Sequence, residues 1–85
     1  METDNLISFI LNAKNRFIIL KLLEEQRLTA TEIAEKTNID YRHVWTKLQE
    51  LKDKNLITHN DVYRNKIYRL TSLGYLILNE VEQRD

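Results

Sequence analysis

The clearest periodic pattern in the chain covers residues 41–54, where apolar side chains recur at i, i+4 and i+7: Val44, Leu48 and Leu51. This spacing predicts a helix with one narrow buried stripe. Asp40 is a favourable N-cap immediately before it. Asn55, directly after it, suits the left-handed position that ends many helices. The pattern therefore predicts a helix with its own start and stop signals.

A second, shorter helix is predicted just ahead of it. Thr29 is followed three residues later by Glu32, which is the spacing of a capping box. The pair Ile33–Ala34 supplies the buried side. Residues 37–40 contain Thr, Asn and Asp side chains that compete for backbone hydrogen bonds, so they should form a turn of three or four residues. The two helices and this turn have the layout of a helix-turn-helix.

Both ends of the chain also have helical patterns. Apolar residues cover most of the circumference of a helix over 6–11, and residues 12–15 leave open whether it breaks or continues into the apolar run 16–25. Thr71 or Ser72 can cap a last helix with four core candidates: Leu73, Leu76, Ile77 and Val81. Tyr75 and Leu78 lie off that stripe. The end helices thus have surplus apolar surface.

The segment between the helix-turn-helix and the last helix has a β pattern. Residues 56–59 and 67–70 are β-prone, and turn formers fill 60–66. A hairpin is predicted. Its loop should be longer than the tightest two-residue turns, so the sequence does not fix the register.

The order helix, helix-turn-helix, hairpin, helix resembles the small archaeal and bacterial winged helix-turn-helix transcriptional regulators, the broad group that includes ArsR- and MarR-like repressors. The similarity extends over about residues 14–81 and is carried by five segments: RFIILKLL at 16–23, LTATEIAE at 28–35, VWTKLQEL at 44–51, NLI at 55–57 and YRLTSLG at 68–74. It implies an α+β, mainly α fold with a two-stranded wing and flanking terminal helices. One domain over 1–85 is expected, divided into a helix-turn-helix at about 29–55, a wing at about 56–70 and a C-terminal helix at about 72–83.

The resemblance further implies a homodimer that binds a pseudo-palindromic double-stranded DNA site and acts as a repressor. The second helix would enter the major groove, and the wing would touch the backbone or the minor groove. The side chains opposite the apolar stripe would form the reading face: Tyr41, Arg42, His43, Trp45, Thr46, Lys47 and Gln49. The wing tip would add three more: Arg64, Asn65 and Lys66. Hydrogen-bond donors and aromatic rings are the groups that contact phosphates and bases.

Several positions have more than one interpretation. Trp45 can be a half-buried core residue, or it can pack against a DNA sugar or a thymine methyl group. Arg42 can contact guanine or a phosphate. Thr29 and Thr31 can hold a phosphate at a helix N-terminus, although capping also explains Thr29. A protein interaction module using Tyr41 and Trp45 is the second functional hypothesis. RNA binding is third, because no RNA-specific motif is present.

The surplus apolar residues of the two end helices predict a dimer interface: Leu6, Phe9, Ile10, Tyr75 and Leu78. The alternative is that the two helices pack against each other within one chain.

The distribution of charge and the absence of cysteine limit the kinds of partner and metal site that can be expected. Thirteen basic and thirteen acidic residues cancel, but residues 39–70 hold seven basic and four acidic side chains, which suits a DNA footprint there. Cysteine is absent, so the cysteine pair of thiolate metal sensors is missing and no metal-responsive derepression is expected. His43 and His59 alone would make a poor metal site. No cofactor is predicted.

No catalytic constellation is recognisable, and Gly74 is the only glycine, so no phosphate-binding glycine loop exists. An enzyme is therefore not predicted. No signal peptide or membrane-spanning run is visible, and the expected location is the cytoplasm, at the nucleoid.

Overall fold

A computed structural model describes residues 2–84. Within that range the elements follow in this order: α1 (Glu2–Leu11), α2 (Lys14–Glu25), α3 (Ala30–Thr37), α4 (Tyr41–Asp53), β1 (Ile57–Val62), β2 (Asn65–Leu70) and α5 (Ser72–Gln83). The fold is mainly helical with one antiparallel hairpin in the described part of the chain, which confirms the predicted winged helix-turn-helix. None of the described helices is long and apolar enough to cross a membrane.

The helix-turn-helix begins with the capping box predicted from its sequence. The Thr29 side chain accepts a hydrogen bond from the Glu32 amide at 3.2 Å, and the Glu32 carboxylate accepts from the Thr29 amide at 2.9 Å. Asn38 ends α3 in the left-handed conformation, with φ 57°. Asp40 then caps α4 by accepting from the Arg42 amide. These local bonds satisfy amides that a helix start leaves without partners, so the turn is fixed by its own residues.

Asn55 ends α4 as expected. Its φ is 62°, and its amide donates to the Lys52 carbonyl at 2.9 Å. The next amide, that of Leu56, donates to the Leu51 carbonyl at 3.1 Å. This pair of bonds is a Schellman motif, in which a left-handed residue reverses the chain. The motif directs the chain from α4 into the wing.

The predicted buried stripe of α4 is confirmed, since Val44, Leu48 and Leu51 are completely buried. The stripe predicted for α5 is wrong in part. Leu73 and Leu76 are 36% and 52% exposed, whereas Leu78 is completely buried. The apolar residues of α5 fit two overlapping stripes, and the structure selects the one that brings Gly74 against the wing.

The open question at residues 12–15 is resolved by a break, because α1 ends at Leu11 and α2 starts at Lys14. α1 then folds back to pack on α5. Ile10 is completely buried inside the chain, as is Leu78. Both were predicted at a dimer interface, and that prediction is wrong because both side chains are already buried in the core of the chain itself.

The hairpin loop is shorter than the sequence predicted. β1 and β2 stay paired from Ile57↔Leu70 to Val62↔Asn65, which leaves a two-residue turn of Tyr63 and Arg64. Strand pairing therefore continues through polar residues that are individually unfavourable in strands. The propensity of a single residue for strand is weak, and pairing with the neighbouring strand outweighs it. A further bridge between Leu28 and Tyr68 ties the wing to the segment that enters α3.

Candidate nucleic-acid interface

The outer face of α4 presents most of the residues predicted to read DNA. Arg42, His43 and Thr46 are exposed, and Tyr41 and Trp45 are each 50% exposed. The two remaining residues, Lys47 and Gln49, are partly buried. Because Trp45 is half exposed, its ring is not fully buried in the core, and much of it is accessible to a partner.

Glu50, the first acidic residue within α4, is neutralised by two cations. Its Oε1 lies 3.2 Å from Arg16 Nε and 3.2 Å from Lys47 Nζ. Burial opposes ionisation, but the hydrogen bonds from Arg16 and Lys47 outweigh it and lower the pKa of the Glu50 carboxyl. Glu50 therefore stays ionised at neutral pH, and the stabilisation from these pairs is lost as the pH falls through the lowered pKa. At neutral pH the negative charge of Glu50 is therefore balanced by these two cations.

Arg16 also ties α4 to the rest of the chain. Its Nη1 donates to the Phe9 carbonyl at 2.6 Å, and its guanidinium lies 3.8 Å from the centre of the Phe9 ring. One side chain thus contacts α1 and α4 from its place on α2, which fixes the outer face of α4 relative to the core.

The wing tip and the start of α3 meet the outer face of α4 at one groove of about 260 Å³. Its lining combines predicted site residues from all three elements: Thr29, Thr31, Tyr41, Trp45, Arg64, Asn65 and Lys66. Residues up to 37 positions apart in the chain therefore form one surface. This surface contains threonine hydroxyl groups, the N-terminus of α3, two aromatic rings and two cationic side chains.

The base of the wing is packed against α4 by His59 and Tyr68. His59 Nε2 lies 3.1 Å from Lys52 Nζ, and His59 Nδ1 lies 3.1 Å from Asp61 Oδ1. The ring of His59 is 5.5 Å from that of Tyr68, and burial raises the pKa of the Tyr68 phenol. These contacts fix the direction in which the wing projects. Within residues 2–84 no three His, Cys, Asp or Glu side chains cluster as a metal site would require.

One exposed residue of the wing was not predicted as a site residue. Tyr63 is 98% exposed at the hairpin tip and has a φ of 58°. Positive φ at the first position of a two-residue turn is normally occupied by glycine, asparagine or aspartate. A large ring held there projects fully into solvent beside Arg64. Sequence reasoning could have found it only by fixing the hairpin register.

The comparisons with known proteins agree with this geometry. A family model described as "Winged helix-turn-helix" matches residues 16–85. None of the curated protein sequences is significantly similar to this chain.

Solved structures are more informative. A variant of ZitR from Lactococcus lactis superposes with a TM-score of 0.78 at 28% identity, covering 84% of this chain and 51% of that protein. The adhesin competence repressor AdcR from Streptococcus pyogenes gives 0.77 at 27% identity, covering 95% and 68%. The YusO protein from Bacillus subtilis gives 0.76 at 26% identity, covering 80% and 51%. The chain thus spans about half the length of ZitR and YusO.

Proposed function

This chain belongs to the winged helix-turn-helix family, and on that premise we propose that it is a sequence-specific regulator of transcription that binds double-stranded DNA. The observation that carries the proposal is the joint surface of α4 and the wing tip. Arg42, His43 and Thr46 are exposed on α4, and the groove beside them ends at Arg64 and Lys66. Donors for base edges and cations for phosphates therefore share one side of the molecule.

In the proposed complex α4 lies in the major groove and the wing contacts the backbone or the minor groove. Arg42 is in the first turn of α4, where a recognition helix comes closest to the bases, and its fork of donors matches the O6 and N7 acceptors of guanine. Lys66 and the hydroxyl groups of Thr29 and Thr31 are placed for phosphates. A repressor is proposed because AdcR, one of the similar structures, is named as a repressor.

The first experiment is a titration of Trp45, the only tryptophan, with duplex DNA. A pool of random-sequence duplexes is first enriched for binding, and the selected duplex is then titrated at several salt concentrations. Binding should weaken steeply with salt, because each phosphate contact releases counterions. Arg42→Ala should lower affinity by about 1–3 kcal/mol and relax preference at one base pair.

Lys66→Ala is the matched comparison, since it removes a cation that is proposed to contact only the backbone. Its affinity should fall by a similar factor on every sequence, and the salt slope should decrease by about 1. Absence of duplex binding at low salt would refute the proposal. The half-exposed pair Tyr41 and Trp45 would then favour the second candidate function, a module that binds another protein through these rings.

We also propose that the protein works as a homodimer assembled through α1 and α5. Of the interface residues predicted from the sequence, Tyr75 is exposed, and Leu6 and Phe9 are partly exposed. Leu76 is a further candidate for this interface, since it is 52% exposed on α5. A two-fold axis that relates α1 and α5 of two copies would match the symmetry of a pseudo-palindromic DNA site.

Leu76→Lys should convert the dimer to a monomer, because it places a charge in the proposed apolar interface. Light scattering after size-exclusion chromatography measures the mass. Glu35→Lys, an exposed substitution on α3, should leave the dimer intact. A wild-type chain that is monomeric at concentrations of tens of micromolar would contradict this interface.

A further inference from the structure

Neither phosphate binding nor polar contacts to bases give a role to two aromatic rings on the outer face of α4. Tyr41 and Trp45 are one helical turn apart, and each leaves half of its surface exposed. Neighbours at i and i+4 lie side by side on a helix. With Arg42 and Thr46 they line a shallow depression of about 410 Å³. We call these four residues the aromatic notch.

The aromatic notch lies in the part of α4 that would approach the bases. It occupies the first two turns of the helix, on the side that also lines the groove shared with Arg64 and Lys66. An apolar protein partner would have to bring its own surface against the positive charges of Arg64 and Lys66. A DNA duplex places phosphates there, so the charge around the notch favours DNA as its occupant.

Only one apolar group projects from the base edges into the major groove, and it is the C5 methyl of thymine. We infer that the aromatic notch reads thymine by packing this methyl group against the rings of Tyr41 and Trp45. This inference rests on the proposed function and adds to it a preference for thymine at the contacted base pairs. The rings suit the task because half of each is already packed, so little side-chain freedom is lost on binding. The Arg42 stem and the Thr46 methyl complete an apolar surface around the methyl group.

The chemical test removes the methyl group and nothing else from the base. The duplex selected by the wild-type chain is synthesised with thymine and, separately, with uracil at every thymine position. Affinities are measured by anisotropy of a labelled duplex. Burial of one methyl group predicts about fourfold weaker binding of the uracil duplex for each contacted thymine. Single replacements then locate the base pairs responsible.

Two sets of variants assign the effect to the notch. Trp45→Ala and Tyr41→Ala should weaken binding to the thymine duplex more than to the uracil duplex, so that the two affinities converge. Lys66→Ala should weaken both and leave their ratio unchanged, because a phosphate contact does not distinguish the bases. Circular dichroism checks that the alanine variants remain folded.

The outcomes separate this inference from the function on which it rests. Equal wild-type affinity for the two duplexes would overturn thymine reading while leaving a DNA-binding regulator in place. A preference for thymine that persists unchanged in both alanine variants would overturn the role of the notch. Absence of binding to any duplex would refute the proposed function and this inference with it.

Discussion

Gly74→Ala is expected to lower the free energy of unfolding by about 3 kcal/mol. A Cβ built on Gly74 would lie 2.1 Å from the Leu56 carbonyl oxygen, a separation that no relaxed structure allows. That oxygen also accepts the Thr71 amide at 3.1 Å. The backbone between α4 and β1 would have to move, with loss of this bond. The better helix propensity of alanine returns only about 1 kcal/mol.

Urea denaturation followed by circular dichroism measures this loss. Ser72→Ala is the matched control, because Ser72 is exposed in the same first turn of α5 and its replacement creates no clash. We expect that variant to unfold within about 0.5 kcal/mol of the wild type. A Gly74→Ala chain as stable as the wild type would mean that α5 does not pack this closely on the wing.

Leu48→Ala is expected to be at least as damaging, at about 3–4 kcal/mol. Leu48 is completely buried at the centre of the inner stripe of α4, so its truncation loses apolar burial and leaves a cavity. A domain of this size has a total stability of roughly 4–13 kcal/mol. The melting temperature should therefore fall by more than 10 °C, on the order of 4–8 °C per kcal/mol.

Arg42→Ala provides the comparison on the opposite face of the same helix. It removes an exposed side chain, so its melting temperature should match the wild type while its affinity for DNA falls. Leu48→Ala should show the reverse when it is assayed at a temperature where it remains folded. Equal effects of both substitutions on stability would contradict the division of α4 into a core face and a binding face.

The helix-turn-helix was predictable because its determinants are local. The Thr29 capping box, the Asp40 cap and the left-handed Asn55 each depend on residues within a few positions. The inner stripe of α4 was equally clear, since a helix with a single apolar stripe leaves no choice of which side to bury. The exposure of Arg42 on the opposite side follows from the same periodicity.

The last helix was predicted less well because its sequence permits two buried faces. Ile77 and Val81 are common to both faces; Leu73 and Leu76 extend them on one side, and Leu78 extends them on the other. The choice is made by Gly74, whose lack of a side chain admits the Leu56 carbonyl. That contact joins residues 18 positions apart, so no local pattern reports it. The same applies to the hairpin, where a two-residue turn depends on pairing along the whole ladder.

Some features of the candidate interface depend on local sequence, and others depend on long-range packing. The helices of the helix-turn-helix, their caps and the outward side chains of α4 follow from local sequence alone, because helical periodicity and capping act within one or two turns. Three other features arise only when the elements pack together. Tyr41 and Trp45 line a groove with Arg64 and Lys66, Glu50 is paired with Arg16, and Ile10 and Leu78 are buried within the chain. These relations depend on how separate elements pack, and packing is settled by long-range contacts that local preferences do not encode.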